Sequence, residues 1–286
     1  MTSGLKNISI LFCVLIGLLS ACTTDYDNPV SPIIESKQSE NLSHIDAILS
    51  HTTQFNPEDI LVVFDFNYTL MYPTIPCLHK NNIDANKSAF KEILSQLSHE
   101  QADVMLSQMM ATEHQRLIND ELSNFLKKYS KVNFIVCSSS LEKNADAYLK
   151  LLSRNNIKIS NGYHLGNFKF SDFKEYLSGR PVYKNGIIVT NRRNKGEILV
   201  SFLKRISHQP KLIIFIDNSA DKLEDVQAAV KSLKDTKLII IEYLEYKNKT
   251  MQKVSEQEFR KYWNEQVKNF LQNRLIICEY TMLKNI

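Results

Sequence analysis

Apolar runs alternate with amphipathic stretches along most of the chain. The run Ile60–Phe64 is uninterrupted and rich in β-branched residues, which is typical of a strand buried on both faces of a sheet. Comparable runs occur at residues 134–138, 187–190, 213–217 and 238–241. Strands that alternate with helices in this way form parallel sheets with right-handed crossovers. The pattern therefore predicts an α/β fold built around a central parallel sheet.

The segments between these runs have the periodicity of helices. After the first run, one apolar helical face is formed by Phe90, Ile93, Leu94 and Leu97. Residues 116–128 predict a helix that leads back to the second strand, so we expect residues 73–113 to form an inserted helical cap. The last amphipathic stretch, residues 255–275, predicts a terminal helix that covers the core.

Two further segments have an unusual composition. Three methionines of the cap are expected to pack inside it rather than form a ligand-binding patch: Met105, Met109 and Met110. Residues 160–185 are aromatic and irregular, and so long a connection is often functional. Beyond the third strand, Arg192 and Arg193 either attract an anionic substrate or lie in a solvated loop.

The first 21 residues have the pattern of a signal peptide. Lys6 supplies positive charge, residues 8–19 are apolar but too few to span a bilayer comfortably, and Leu-Ser-Ala precedes Cys22. This arrangement resembles the bacterial lipoprotein box, which implies cleavage before Cys22, attachment of lipid to that residue, and anchoring without a membrane span. An ordinary secretory signal is the alternative. Thr23, where an inner-membrane protein usually has Asp, favours the outer membrane.

The rest of the chain divides into a tether and one domain. Residues 22–41 are polar, contain Pro29 and Pro32 and show no period, which predicts a flexible tether between membrane and domain. Residues 42–286 then form a single domain, with the cap as an insertion within it.

Composition excludes several classes of protein. Hydrophobic residues make up 43% of the chain and charged residues 23%, which is typical of a globular protein. The net charge of +4 provides no strong basic field for nucleic acid. Beyond the signal and anchor, the cysteines are Cys77, Cys137 and Cys278, whose odd number and unrelated spacing predict neither a disulfide framework nor a zinc site.

Polar residues follow four of the elements at the points where strands end or helices begin. Asp65 follows the first strand, Ser138-Ser-Ser closes the second, Asn194-Lys-Gly-Glu opens a helix, and Asp217-Asn-Ser-Ala-Asp closes the fourth strand. Sites in parallel sheets form at the carboxyl ends of strands, so these residues are expected to converge there.

These four segments, in this order, resemble the four motifs of the haloacid dehalogenase superfamily. The resemblance covers roughly residues 60–245 and implies a Rossmann-like core with the strand order 5-4-1-2-3, Asp65 on the central strand, and a cap over the site. The tract from Pro181 to Thr190 ahead of the Lys-Gly pair is also similar to a group of uncharacterised bacterial proteins of that superfamily.

The resemblance implies a magnesium-dependent phosphatase. Asp65 would attack phosphorus and form an aspartyl-phosphate. The ligands of Mg²⁺ would be Asp65, the backbone carbonyl of Asn67, and Asp217. Ser138 would hydrogen-bond a phosphoryl oxygen, and Lys195 would offset the charge shared by the phosphoryl group and Asp65.

Two assignments have alternatives within the sequence. Ser139 replaces Ser138 if the strand ends one residue later. Asp221 lies one helical turn after Asp217, so it is either a further metal ligand or an ordinary N-cap or first-turn acid of the next helix.

The sequence departs from the superfamily pattern at two positions. Asn67 stands where phosphatases usually have the aspartate that protonates the leaving alcohol and activates water, a role worth about 10² to 10⁴ in rate. Asn218 stands where a second acid often accompanies Asp217. Three interpretations follow: a slow phosphatase, a phosphotransferase whose aspartyl-phosphate persists, or a fold without catalysis.

The sequence as a whole predicts a lipid-anchored hydrolase of the bacterial cell envelope that acts on a small phosphorylated substrate, with Mg²⁺ as cofactor. A metal-independent dehalogenase is a weaker alternative, because Lys195, Asp217 and Asp221 fit the phosphatase arrangement at least as well. The alternative from another class is an inactive surface lipoprotein that uses the same fold for binding.

Overall fold

The computed structural model describes residues 34–111, 114–159, 163 and 165–282, with side chains described up to residue 272. The strands are β1 (Ile34–Ser39), β2 (Ile60–Phe64), β3 (Met71–Pro73), β4 (Gln115–Leu117), β5 (Asn133–Ser138), β6 (Phe168–Lys169), β7 (Val182–Lys184), β8 (Ile187–Val189), β9 (Leu212–Asp217) and β10 (Lys237–Tyr243). The helices are α1 (Leu42–Ser50), α2 (Lys80–Ala85), α3 (Lys87–Leu94), α4 (His99–Met110), α5 (Leu122–Lys128), α6 (Ala145–Arg154), α7 (Lys195–Arg205), α8 (Ala220–Val230) and α9 (Glu256–Met282).

Eight of these strands form one sheet in the order β1-β10-β9-β2-β5-β8-β7-β6. Pairing is parallel from β1 to β8, and β7 and β6 extend that edge antiparallel. The prediction of an α/β fold around a mostly parallel central sheet is therefore confirmed.

Strand β2 is buried on both faces because each face has its own helical layer. Val62 and Phe64 face the apolar cluster that includes α1, α5 and α6. Leu61 and Val63 face the opposite cluster, which includes α7 and α8. This double covering is the physical reason why the strand is an uninterrupted apolar run rather than an alternating one.

The pairing register aligns the strand ends. Phe64 of β2 is opposite Ile216 of β9 and Val136 of β5, so Asp65 follows directly beside Asp217 and close to the end of β5. The backbone N–H of Asp65 also donates to the carbonyl of Ile216, at 2.8 Å. One edge of the sheet therefore brings together side chains that lie far apart in sequence.

Gly196 allows α7 to approach α8 closely. A Cβ atom at this position would lie 2.6 Å from the backbone oxygen of Asp225 and 2.7 Å from the Cβ atom of Ala229. Both distances are well inside van der Waals contact. The glycine after Lys195 therefore sets how closely the start of α7 packs against α8.

Strands β3 and β4 pair as an antiparallel ribbon. The chain between them forms the helices α2, α3 and α4, which we call the helical insertion. Their apolar cluster includes Leu78, Ile93 and Met105. Helix α9 contributes Phe259 and Trp263 to the same cluster. The Trp263 indole N–H donates to the carbonyl of Cys77 at 3.1 Å, and its ring lies 4.7 Å from that of Phe90. Helix α9 therefore covers core surface as expected, but the surface that it covers is the apolar cluster of the insertion.

Three other expectations need correction. Residues 34–39 of the predicted tether form the edge strand β1, which pairs with β10 from Ile34 opposite Leu238 onward. The predicted helix at 116–128 is shorter, since β4 occupies its start and α5 begins at Leu122. The irregular segment 160–185 contains both β6 and β7, which extend the sheet. Short strands of two to six residues with no alternation are difficult to predict from periodicity.

The signal peptide and lipoprotein box, including Cys22, lie outside the described residues. In the part of the chain that is described, no helix combines the length and apolar character needed to cross a bilayer.

Candidate active site

The centre of the candidate site is a buried ion cluster of three side chains, Asp65, Lys195 and Asp217. The Lys195 ammonium donates to Asp65 Oδ1 in a short contact and to Asp217 Oδ2 at 2.6 Å. Its side chain is only 2% exposed, and those of the two carboxylates are 8% and 2% exposed. When both acids are ionised, the cluster carries a net charge of −1.

Each member of the cluster is placed by a strand end or a helix start. Asp65 and Asp217 terminate adjacent parallel strands. Lys195 is the first residue of α7, whose N-cap is Asn194, and the Asn194 side chain accepts from the N–H of Glu197 at 3.0 Å. A cation at a helix N-terminus is disfavoured by the helix dipole, so the two carboxylates must compensate for both the dipole and the loss of water.

Burial and charge act on this cluster in opposite directions. Burial raises the pKa of the Asp65 carboxyl to about 7, against the attraction of Lys195 and with a further contribution from Asp217. Burial also disfavours the charged ammonium, but Asp217 and Asp65 outweigh it and raise the pKa of Lys195. Asp65 therefore depends on nearby positive charge to be ionised.

Asp217 is fixed by its own loop. Its Oδ1 atom accepts from the backbone N–H of Ser219 at 2.9 Å, while Oδ2 accepts from Lys195. Ser219 is also the N-cap residue of α8. Asp221 is exposed in the first turn of that helix and does not line the cleft described below. The structure thus brings Asp217 into the cluster and leaves Asp221 as a first-turn acid.

The loop after β5 adds hydroxyl groups to the site. Ser138 is buried, and its Oγ accepts from the N–H of Ser140 at 3.4 Å. The buried Oγ of Ser139 has no hydrogen-bond partner among the described residues. Both Ser138 and Ser139 line the cleft. The structure therefore brings together both serines that the sequence offered, and Ser139 carries the uncommitted hydroxyl.

Asn67 lies beside Tyr148, a contact that the sequence did not indicate. The Asn67 amide donates to the Tyr148 hydroxyl at 3.1 Å, and its own Oδ1 is buried without a partner among the described residues. Tyr148 is held by stacking on Phe66, with ring centroids 3.9 Å apart. In the sequence Tyr148 is one apolar position of an amphipathic helix, and nothing marks it as a neighbour of Asn67.

A cleft of about 320 Å³ opens above the cluster. Its floor is polar and comes from the strand ends and the starts of α7 and α8: Asp65, Asn67, Ser138, Ser139, Ser140, Lys195, Asp217, Asn218 and Ser219. Its roof comes from the segment after β2, the helical insertion and α9: Tyr68, Leu78, Ile83, Phe90, Leu106, Ser107, Met109, Met110 and Trp263. Two cationic side chains, Arg192 and Lys222, complete the lining. Met105 packs inside the insertion, as expected, but Met109 and Met110 line the cleft, contrary to the prediction for them.

A buried polar network joins the roof to the floor. The Ser107 hydroxyl of α4 lies 2.8 Å from the Ser140 hydroxyl and accepts from the N–H of Leu141 at 3.2 Å. Asn144 donates to both hydroxyls and to the Ser107 carbonyl, at 2.6 to 2.8 Å. Because buried groups of this kind are costly to leave unpaired, the network holds α4 over the β5 loop.

Arg192 is at the rim of the cleft and reaches the insertion. Its Nε lies 3.1 Å from Asp103 Oδ1 of α4, and Tyr176 donates to the other oxygen of that carboxylate at 2.9 Å. Arg193 instead donates to the backbone carbonyls of residues 174 and 175. Of the two arginines, only Arg192 lines the cleft. Arg192 has a positive φ of 66°, a conformation that sequence pattern alone does not reveal.

The oxygen donors of the floor suit a hard divalent cation. No group of three His, Cys, Asp or Glu side chains that could hold a metal is present among the described residues. A cation here would therefore rely on two carboxylates, an amide or backbone oxygen of Asn67, waters and a bound anion. Mg²⁺ is bound in this way, through one or two carboxylates, its own waters and substrate phosphates.

Residues 38–275, which contain the whole ion cluster, match one family of proteins. The chain belongs to the family described as "Protein of unknown function (DUF2608)". An uncharacterized protein of Rickettsia bellii is 23% identical over 205 residues, which are 67% of this chain and 70% of that protein. An uncharacterized protein of Rickettsia conorii is 22% identical over 213 residues, 70% of this chain and 72% of that protein. No solved structure matches the chain.

Replacing Lys195 by Met tests the balance of charge in the cluster. The variant leaves two buried carboxylates facing each other without a cation, so we expect a loss of about 3 to 5 kcal/mol in the free energy of unfolding. Urea unfolding measures it. Lys222→Met is the matched control, because Lys222 is 40% exposed and its ion pair with Asp225 is long, at 3.6 Å. The control should lose at most about 1 kcal/mol; equal losses would contradict the account.

Proposed function

We propose that the protein is a Mg²⁺-dependent phosphomonoesterase of the haloacid dehalogenase type, acting through an aspartyl-phosphate on Asp65. The observation that carries this proposal is the Lys195 ammonium held between Asp65 and Asp217 at the floor of a cleft. A carboxylate nucleophile must meet an anionic phosphoryl group, so it needs fixed positive charge in contact with it. Lys195 supplies that charge, and the serines of the β5 loop add hydrogen-bond donors.

The strand order supports the same superfamily. Counted along the chain from the Asp65 strand, five of the six parallel strands in the described part of the chain, β2, β5, β8, β9 and β10, lie in the spatial order β10-β9-β2-β5-β8, and β1 adds the sixth beside β10. This is the order 5-4-1-2-3 that the resemblance implies, with the nucleophile on the central strand. The helical insertion, which enters after β3 and contributes the roof of the cleft, fits the cap of that superfamily.

In the first step, an oxygen of the Asp65 carboxylate attacks phosphorus, and the bond from phosphorus to the substrate alcohol breaks. Ser138 and Ser139 donate to the phosphoryl oxygens, and Lys195 offsets the negative charge as it spreads over them. In the second step, water attacks the aspartyl-phosphate at phosphorus, which releases phosphate and restores the Asp65 carboxylate.

The floor residues offer oxygen atoms, which are the ligands that Mg²⁺ prefers. Asp65, Asp217 and an oxygen of Asn67 would hold it, and the unpartnered Oδ1 atom of Asn67 shows that this edge of the cleft has acceptor capacity to spare. When bound, Mg²⁺ would neutralise charge on the phosphoryl oxygens. It would also supply the positive charge that favours ionised Asp65.

Asn67 limits the rate of both steps. The leaving alcohol needs a proton, and the attacking water must lose one, but an amide transfers neither. The proposed enzyme therefore favours leaving groups that are stable as anions, and its aspartyl-phosphate persists longer than in a phosphatase with aspartate at this position. A phosphotransferase would also depend on a long-lived aspartyl-phosphate, because its phosphoryl group must await an acceptor other than water.

The location of the proposed enzyme follows from the amino-terminal pattern. We place it in the bacterial cell envelope, anchored by lipid on Cys22 and facing the periplasm or the surface, with the outer membrane favoured by Thr23. Its substrate would then be a small phosphorylated molecule outside the cytoplasm.

The second candidate is a binding protein that uses the same cleft without turnover. This role is favoured by Asn67, because its amide cannot ionise to transfer a proton and donates a hydrogen bond to Tyr148 instead. A binding role alone does not explain why Lys195 is buried between two carboxylates, because removing these charges from water is energetically costly.

Hydrolysis of p-nitrophenyl phosphate tests the proposal, because nitrophenolate leaves without protonation and so tolerates Asn67. We expect release of nitrophenolate that requires Mg²⁺ and is lost in Asp65→Asn, a change that keeps the size of the side chain and removes the nucleophile. Circular dichroism and thermal unfolding of the variant serve as the folding control. A folded, Mg²⁺-loaded protein without turnover would favour the binding role instead.

Restoring an acid at position 67 tests the role given to Asn67. Asn67→Asp places a carboxyl near the Tyr148 hydroxyl, which can donate to it, so the change should be tolerated. We expect hydrolysis of an alkyl phosphate to accelerate by about 10² or more, and hydrolysis of p-nitrophenyl phosphate to change much less. Steady-state rates on the two substrates measure this difference.

Asn218→Asp is the matched control for added charge. It introduces the same charge into the same cleft, beside Asp217 rather than next to the nucleophile. We expect it to leave the ratio of the two rates unchanged. The same change of ratio in both variants would rule out the proton-transfer role of position 67.

A further inference from the structure

The cleft has two chemically different halves. The floor holds the charged cluster and its hydroxyl groups, while the roof is formed by apolar side chains. Five of these roof side chains are half-buried rather than packed away: Ile83, Phe90, Leu106, Met109 and Met110. Their remaining surface faces a cleft whose floor binds phosphate under the proposed function. The part of a substrate that extends away from its phosphoryl group therefore meets this apolar surface.

The roof offers almost no free hydrogen-bonding capacity. The Tyr68 hydroxyl donates to the carbonyl of Leu78 at 2.6 Å, and the Trp263 indole N–H donates to the carbonyl of Cys77. The Ser107 hydroxyl is engaged with Ser140, Leu141 and Asn144. The polar side chains that this roof contributes are thus committed to contacts within the protein. Two cationic side chains also line the cleft, Arg192 and Lys222, and they pair with Asp103 and Asp225.

This arrangement discriminates against polyhydroxylated substrates. The hydroxyl groups of a sugar phosphate or a glycerol phosphate would leave water and find no partner on the roof, and each unpaired group weakens binding. An aryl or alkyl group loses nothing by the same transfer and gains from removal of apolar surface from water. Phe90, Met109 and Met110 also provide flexible or aromatic contacts for such a group.

We propose that the substrate is the monophosphate of an apolar alcohol that leaves readily as an anion, an aryl phosphate, with its ring under the helical insertion. This inference rests on the proposed function for the position of the phosphoryl group. The volume of about 320 Å³ is at the small end of the range for ligand pockets, which suits one ring beside a phosphate.

Binding of phosphonates tests the inference without requiring turnover. The full-length protein in phospholipid nanodiscs with Mg²⁺ would be titrated calorimetrically with methyl-, propyl- and pentylphosphonate. Dihydroxypropylphosphonate provides a polar probe of similar length. We expect the Kd to fall about fourfold for each added methylene, and the dihydroxypropyl compound to bind no more tightly than methylphosphonate.

A pair of variants distinguishes binding of the phosphonate at the roof from its nonspecific partition into the lipid. Met109→Gln keeps the length of the side chain and makes it polar, so pentylphosphonate should bind at least fivefold more weakly while methylphosphonate is unaffected. Met251→Gln is the matched control, because Met251 is similarly half-buried but lies outside the cleft lining. It should leave the whole series unchanged.

The outcomes distinguish this inference from the proposed function. Turnover of p-nitrophenyl phosphate without dependence of binding on chain length would overturn the apolar substrate and leave the phosphatase. Chain-length dependence that Met109→Gln removes, without turnover, would support the apolar ligand and overturn the phosphatase. Equal effects of the two methionine variants would overturn the assignment of the apolar group to the roof.

Discussion

The structure depends on one buried cation that must be neutralised. Lys195 is 2% exposed at a helix N-terminus, where water is excluded and the helix dipole opposes its charge. Asp65 and Asp217 compensate for this charge, and they come from adjacent parallel strands whose register places them side by side. Gly196 sets the depth of α7 against α8 and so the reach of the lysine. A structural ion pair would need one acid; two acids around one lysine leave a net negative charge suited to a further cation.

The sequence predicts those parts of the molecule that depend on burial pattern. The doubly covered strand β2 is recognisable because both of its faces are apolar, and Asp65 is recognisable because it ends that run. The convergence of Asp65, Ser138, Lys195 and Asp217 follows from parallel strands that share one edge. Asp221 illustrates the limit: its spacing fits a ligand and a first-turn acid equally, and only the orientation of α8 separates them.

Other features depend on contacts between distant segments, which periodicity does not record. Tyr148 approaches Asn67 because α6 packs next to Phe66, and α9 packs on the insertion because Trp263 finds Phe90 and the Cys77 carbonyl there. Met109 lies one turn after the buried Met105 on the same face of α4, so its exposure to the cleft could not be inferred from the helical pattern. The sequence of the edge strand β1 has no apolar pattern, and it forms a strand because it pairs with β10. These same contacts place an apolar roof over a charged floor, and the chemistry proposed for the site arises from that combination.

The central claim is that Asp65 becomes phosphorylated while Lys195 offsets the charge. Acid quenching of the Mg²⁺-loaded protein during turnover of p-nitrophenyl phosphate, followed by peptide mass spectrometry, tests it most directly. Under the proposed mechanism Asn67 slows hydrolysis of the intermediate, so we expect an acid-stable, hydroxylamine-sensitive phosphoryl adduct on the peptide that contains Asp65, absent in Asp65→Asn. Turnover with no adduct on that peptide, or with the adduct on another residue, would contradict it.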